Sequence, residues 1–234
     1  MERLDKILAG TGRWSRREAR DLVHVGRVTA NGAVARSAEE KYDREGLELL
    51  VDGESVLAPR FTYLMLHKPA GLVSATEDPR QPTVLELLPA HLRKIGLFPA
   101  GRLDKDTEGL LLLTNDGELA HALLSPKKHV DKTYFVRAAG ALDGEDVKAF
   151  EAGMTLGDGY TCLPAGLEPL AEPDTALVTL REGKYHQIKR MLAARGKPVV
   201  YLKRLTMGPL VLDKTLEAGK WRPLTEKELQ ALRG

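Results

Sequence analysis

Gly109-Leu110-Leu111-Leu112-Leu113-Thr114-Asn115-Asp116-Gly117 is an apolar run of strand length stopped on both sides by turn residues. Such a run reads as a buried strand closed by a tight turn. Working outward, further strands are expected at 62–66, 133–138, 177–180 and 209–212, with this one at 110–114. Helices are expected at 84–88, 118–124, 145–151, 185–195 and 226–232. Strand and helix alternate too irregularly for a doubly wound parallel sheet, so the expectation is an α+β domain on a mixed or antiparallel sheet. No internal repeat or low-complexity tract interrupts it.

Ahead of this domain lies a smaller unit with its own pattern. Leu4, Ile7 and Leu8 recur at helical spacing until Thr11-Gly12 breaks the helix. Ser15 with Glu18 forms a capping-box start for a second helix to about His24, with Ala19, Leu22 and Val23 on its buried side. Arg16, Arg17 and Arg20 share the exposed side of that helix. Val28-Thr29-Ala30 and Ala33-Val34-Ala35 flank Asn31-Gly32, a hairpin signal, and a further strand is expected near 47–51. The division expected is 1–57, a linker at 58–61 where Pro59 disfavours helix, and a larger domain at 62–234.

The chain of 234 residues is 43% hydrophobic and 29% charged, a composition that can bury a core. No apolar run, Leu110–Leu113 included, approaches the roughly 20 residues of a transmembrane helix. Met1-Glu2-Arg3-Leu4-Asp5-Lys6 has no apolar stretch behind a basic start, so no secretory leader is expected. Cys162 is the single cysteine, which excludes an internal disulfide and a multi-cysteine zinc site. The expectation is a soluble, cytoplasmic monomer. The net charge of +2 hides an uneven distribution: residues 1–36 carry eight Lys/Arg against four acids, and seven basic residues with no acid lie between Glu182 and Asp213. Two basic regions on a nearly neutral chain point to a polyanion touched at two places.

Upstream of the apolar run, Gly101-Arg102-Leu103-Asp104-Lys105-Asp106-Thr107-Glu108 forms a charged loop of the kind that carries catalytic groups on a rigid scaffold. Its spacing alone does not choose among Asp104, Asp106 and Glu108. His67, His121 and His186 have no metal-ligand spacing, and Gly101, Gly109 and Gly117 precede no Gly-Lys-Ser/Thr, so neither a metal site nor nucleotide hydrolysis is indicated.

Arg3-Leu4-Asp5-Lys6-x-Leu8, Ser15-Arg16-Arg17-Glu18-Ala19 and Gly26-Arg27-Val28-x-x-Asn31-Gly32 resemble the S4 RNA-binding domain. The resemblance implies that Arg3, Lys6, Arg16, Arg17, Arg20 and Arg27 contact RNA, chiefly its phosphates. Gly101-Arg102-Leu103-Asp104-x-Asp106-Thr107-x-Gly109-Leu110 resembles the catalytic motif of the RsuA-type pseudouridine synthase family, whose aspartate after Arg-Leu is essential. Lys132-Thr133-Tyr134 is similar to that family's tyrosine strand, and Glu182-Gly183-Lys184-Tyr185-His186-Gln187-Ile188-Lys189-Arg190-Met191 to its active-site helix. With the closing Trp221-Arg222-Pro223-Leu224-Thr225, the likeness runs nearly the whole chain.

What the resemblance implies is a uridine-to-pseudouridine isomerase acting on rRNA, with no cofactor and no metal, since nothing is oxidised and no external group is transferred. Asp104 would react at the sugar–base junction, by attack at C1′ or C6 or by removing a sugar proton. A carboxylate serves there only when ionised, so a cation should stand beside it. Lys189 matches the family's basic position, though many relatives carry Arg there, and Arg190 is the other candidate. Tyr134 would stack on the flipped base, Ile188 would pack on its other side, Arg102 would hold a phosphate or fill the vacated stack, and His186 would support the loop or touch RNA. Tyr185-His186-Gln187, where large-subunit branches tend to read Asn-Arg-Gln, resembles the small-subunit (16S) branch; a 23S enzyme is the alternative. Two readings from other classes compete. A non-catalytic S4-type assembly factor is disfavoured by the intact Asp104, Tyr134 and Lys189. A glycosidase needs two acids flanking one bond, whereas Asp104 and Asp106 are neighbours in one loop.

Overall fold

The computed structural model describes every residue except Glu45, 57–59, Pro126, Lys127 and Gly234, so residues 58 and 59 of the expected linker lie outside the described residues. The chain divides into two compact units, Met1–Thr62 with Leu85–Phe98, and Tyr63–Val84 with Pro99–Gly234.

In the first unit a short strand β1 (Glu2–Arg3) leads into α1 (Leu4–Ala9) and α2 (Arg16–His24). Ser15 caps α2 by accepting a hydrogen bond from the Glu18 amide, while the Glu18 carboxylate accepts one from the Ser15 amide, completing the capping box. β2 (Val28–Ala30) and β3 (Ala33–Val34) form the hairpin, with Ala30 opposite Ala33. Asn31 and Gly32 between them have φ of 50° and 79°. Positive φ at both positions is what a two-residue type I′ turn demands. β4 (Lys41–Tyr42) pairs with β1, and β5 (Leu49–Val51) and β6 (Glu54–Ser55) extend the hairpin to the antiparallel order β3-β2-β5-β6. Leu4, Ile7, Leu8, Ala19, Val23, Val28 and Leu49 close the core between helices and sheet.

The helix expected at 84–88 is a 3₁₀ turn, Val84–Leu87, followed by α3 (Ala90–Arg93). Pro89 separates them, because it lacks an N–H and drives the preceding residue away from helical angles.

The second unit is built on a mixed sheet. Its strands are β7 (Tyr63–Lys68), β8 (Phe98–Ala100), β9 (Glu108–Thr114), β10 (Lys132–Ala138), β11 (Gly166–Pro169), β12 (Thr175–Leu180), β13 (Val199–Arg204) and β16 (Trp221–Pro223). They run β11-β12-β10-β13-β9-β7-β16, with β8 also paired to β9. Along that order β13 and β9 pair in parallel, and the remaining neighbours of the path are antiparallel. A small ribbon, β14 (Thr206–Met207) with β15 (Leu210–Val211), follows β13. The helices are α4 (Gly117–Leu124), α5 (Gly144–Ala152), α6 (Gln187–Ala194) and α7 (Glu226–Arg233). Every residue of β7 is buried, and so is β9 from Gly109 onward, as expected of central strands covered on both faces.

The pattern-based reading contains no β8, β11 or β16, and two further departures bear on the site. β13, absent from the expected strands, lies in mid-sheet, and its Arg204 is 2% exposed, with Nε donating to the Leu110 carbonyl at 2.7 Å. The charges at the end of Val199-Val200-Tyr201-Leu202-Lys203-Arg204 obscured a β-branched, aromatic strand. The basic run 184–204 is therefore not one exposed patch: Arg195 and Lys197 are held by Asp146, and Arg190 by Asp158. The second departure is α6, which starts at Gln187 rather than 185 because His186 adopts a left-handed conformation (φ 51°, ψ 33°).

The parallel register places Gly109 beside Arg204. Gly109 has φ +106°, and a Cβ there would lie 2.2 Å from the Arg204 carbonyl oxygen. Only glycine lets the two backbones approach so closely. Gly109→Ala should cost about 2–4 kcal/mol in urea unfolding, while Gly117→Ala, where a Cβ meets nothing within 4 Å, should leave the midpoint nearly unchanged; equal midpoints for the two variants would refute this account.

Candidate active site

Asp104 sits on the 101–107 loop between β8 and β9, and the loop is shaped from beneath. Lys68, the last residue of β7, is fully buried. Its Nζ reaches the carbonyl oxygens of Pro69 (3.0 Å), Asp104 (3.0 Å), Lys105 (3.2 Å) and Thr107 (2.8 Å). Burial pulls its pKa down to about 8 against the attraction of Asp106, Asp104 and Glu108. Ser74 secures the preceding residue, its hydroxyl donating to the Leu103 carbonyl at 2.9 Å and accepting from the Leu103 amide at 3.1 Å. Neither Lys68 nor Ser74 was identified from the sequence. The available signal was a lysine ending an otherwise apolar strand, a position that forces the ammonium to find acceptors inside.

Above the loop, Lys189 Nζ lies 3.0 Å from Asp104 Oδ2 and also contacts Asp106 Oδ1. Burial works against the charge on Lys189, but its hydrogen bonds to Asp106 and Asp104 outweigh burial and push its pKa up. The hydrogen bond from Lys189 in turn lowers the pKa of Asp106. His186 Nε2 stands 3.5 Å from Asp104 Oδ1. Arg190 points elsewhere, to Asp158.

Asp104, His186 and Lys189 line one pocket of about 70 Å³ with Arg102, Leu103, Thr107, Tyr134, Leu180, Ile188 and Leu202. Tyr134 and Ile188 are buried in its wall and Arg102 is exposed at its rim. The start of α6 is anchored by Glu182, whose carboxylate accepts from Gln187 Nε2 (2.6 Å), the Leu163 amide (2.9 Å) and the Tyr160 hydroxyl (2.6 Å). Thus Asp104, Tyr134, His186, Ile188, Lys189 and Arg102 converge, while Arg190 does not. Cys162 is buried beside this network, and burial raises its thiol pKa. Among the described residues no group of His, Cys, Asp or Glu is arranged to hold a metal ion, and no helix is long and apolar enough to cross a membrane.

In the first unit, Arg3, Arg16 and Arg20 converge on Asp5, each about 3 Å from a carboxylate whose side chain is fully buried. Burial would raise the Asp5 pKa, but the three guanidinium hydrogen bonds outweigh it and bring it down to about 2. Lys6 pairs with Glu2 and Arg27 with Asp52, while Arg17 is exposed. The arginine side chains of 16 and 20 remain about half exposed, at 52% and 55%, so a fixed cluster of excess positive charge faces solvent.

A family model described as RNA pseudouridylate synthase matches residues 62–194, and an S4 domain model matches residues 2–49. The chain belongs to the RNA pseudouridylate synthase family and carries an N-terminal S4 domain. It is 49% identical over 98% of both chains to an uncharacterized RNA pseudouridine synthase of Bacillus subtilis. It is 42% identical to the ribosomal small subunit pseudouridine synthase A of Pseudomonas aeruginosa, across 97% of this chain and 98% of that one. A solved pseudouridylate synthase superposes with a TM-score of 0.70 at 37% identity, covering 99% of this chain and 100% of that chain.

Removing the ammonium beneath the loop should be costly. Lys68→Met would leave the loop carbonyls buried and unpaired, so urea unfolding should show a loss of about 2–4 kcal/mol; a variant as stable as the parent would mean that Lys68 does not hold the loop.

Proposed function

We propose that this protein isomerises a uridine of 16S rRNA to pseudouridine, with Asp104 as the reacting carboxylate. The observation that carries the proposal is the ion pair of Asp104 with Lys189 at 3.0 Å inside a pocket walled by Tyr134, Leu180, Ile188 and Leu202. The small-subunit assignment rests on the printed name of relatives such as that of Pseudomonas aeruginosa, together with Tyr185-His186-Gln187.

Isomerisation breaks the bond between N1 of the base and C1′ of the sugar, turns the base, and joins C5 to C1′. The proton on C5 is lost and N1 gains one, so no atom or electron is needed from outside. The uridine must first leave its stack, at a cost of a few kcal/mol. In this reading Asp104 meets the sugar–base junction as a carboxylate, with the Lys189 ammonium 3.0 Å away as its counter-charge. Tyr134 supplies one face of the base slot and Ile188 an apolar edge. Leu103, Leu180, Ile188 and Leu202 give the wall an apolar part, which holds a base without directional bonds while it turns. Arg102, exposed at the rim, meets a backbone phosphate or takes the place vacated in the stack. The Asp5-centred arginines of the S4 domain, with Arg17, bind rRNA phosphates and give position rather than sequence choice.

Carbodiimide primer-extension mapping of 16S and 23S transcripts, bare and as ribonucleoprotein, tests this directly. The unaltered protein should give one pseudouridine stop in 16S, and Asp104→Asn should remove it while leaving RNA affinity nearly intact; a stop confined to 23S would refute the small-subunit assignment, and equal loss of activity and affinity would refute the role of Asp104. Replacing Arg16, Arg17 and Arg20 together by Ala should weaken binding and flatten its salt dependence by about two to three units in the log–log slope. An unchanged slope would mean that the first unit does not carry the RNA phosphates.

A further inference from the structure

Tyr185 is used by none of the contacts described so far. It is 75% exposed, an uncommon position for a tyrosine. Its ring is nevertheless stacked: the centroid lies 3.8 Å from that of His186, with the planes 17° apart, a near-parallel pair of adjacent residues. The stack depends on the left-handed backbone of His186 (φ 51°, ψ 33°). Few non-glycine residues adopt that conformation, and such outliers persist where the surroundings enforce them and function uses them. The residues on either side are tied down: Gln187 Nε2 donates to Glu182, and the Lys184 amide donates to Gln187 Oε1. The inner ring of the stack, His186, belongs to the pocket wall and faces Asp104 at 3.5 Å. The outer face of Tyr185 is left to solvent.

A flat exposed aromatic face, backed by a second ring that itself lines the pocket, matches the requirement for holding an unstacked nucleobase. Positive charge flanks it on the chain. Lys184 precedes it, with Nζ 4.9 Å over the Tyr160 ring, and Arg102 is exposed on the same pocket rim. A nucleotide seated there therefore has cations available for its phosphate.

We propose that the Tyr185–His186 stack is a second base-binding site, receiving a nucleobase of the RNA strand next to the uridine that enters the pocket. The proposal rests on the RNA-isomerase reading above. Extraction of one uridine breaks the stacking of its neighbour as well, and Tyr185 gives that neighbour a new partner. Stacking is tolerant of base identity, so the site adds affinity for a locally opened strand and stabilises the flipped state, while the pocket itself selects uridine. The alternative, that Tyr185 only props the His186 ring, predicts a different pattern: its loss would lower kcat at unchanged affinity.

The test uses the full chain in two backgrounds. With Asp104→Asn, affinity for 16S and 23S transcripts is measured for Tyr185→Ala, Tyr185→Phe and Tyr185→Trp. Tyr185→Ala should weaken binding by about 5- to 100-fold, whereas Phe and Trp, which keep a π-face, should stay within about twofold. With Asp104 intact, Tyr185→Ala should raise KM far more than it lowers kcat, and its urea midpoint should match the parent's because the side chain is exposed. Unchanged affinity for Tyr185→Ala, a loss for Phe equal to that for Ala, or an effect confined to kcat would each overturn the proposal. Failure of the unaltered protein to isomerise any transcript would overturn the enzymatic reading instead, and the affinity series in the Asp104→Asn background would still decide the platform.

Discussion

An ammonium group taken out of water is tolerated only where other dipoles replace its hydration. Lys68 meets that requirement with the carbonyl oxygens of Pro69, Asp104, Lys105 and Thr107, and the requirement runs in both directions. The buried charge needs the loop closed over it, and the loop, whose carbonyls turn inward, needs the charge. The backbone of residues 104–107 is thereby fixed from the side opposite the pocket, without using any of its side chains. Asp104, Asp106 and Thr107 are left to project as the backbone dictates, and Asp104 meets Lys189 across a gap that neither side chain has to span alone. The same loop leads directly into β9, whose close contact with β13 through Gly109 fixes the strand that follows. Sheet, loop and ion pair form one mechanical unit.

The S4 domain solves the converse problem. Its arginines must stay charged and exposed, yet long flexible side chains lose entropy when they settle on a phosphate. Asp5, a buried residue in the first turn of α1, holds three guanidinium groups while two of them remain about half exposed. Asp5, with Glu39 on Arg3, offsets two of the three positive charges, so the cluster keeps an excess of one and its side chains are already ordered. A solvent-facing aspartate would compete with phosphate for the same arginines. A buried one binds them from behind.

Legibility from sequence followed how local the determining interaction was. The capping box at Ser15 and Glu18 and the Asn31-Gly32 hairpin are settled within a few residues, and both stand where the pattern put them. β7, β9, β10 and β12 carried enough apolar periodicity to be found. β13 did not, because Lys203 and Arg204 look like surface residues until the parallel pairing with β9 shows Arg204 donating into the core. Counting it within a basic patch was an error of the same origin: charge along the chain is local, but exposure is decided by partners far away. Asp104 and its companions were found through motif likeness. Lys68 and Ser74, which shape the loop through backbone carbonyls and amides, carry no chemistry of their own to draw notice.

The divided attention of Lys189 bears on how the site would work. A guanidinium could fork to one carboxylate through two parallel bonds, whereas the single ammonium here touches both Asp104 and Asp106. Asp106 is mostly solvent-exposed, at 74%, and Asp104 is more enclosed, at 26%. Water screens the outer pair and leaves the inner one stronger, so entry of a base that excludes water shifts the balance of the shared charge toward Asp104. His186, in its left-handed turn, stands 3.5 Å from Asp104 Oδ1 on the other side of the carboxylate. A lysine with two partners can pass from one carboxylate toward the other without moving its backbone.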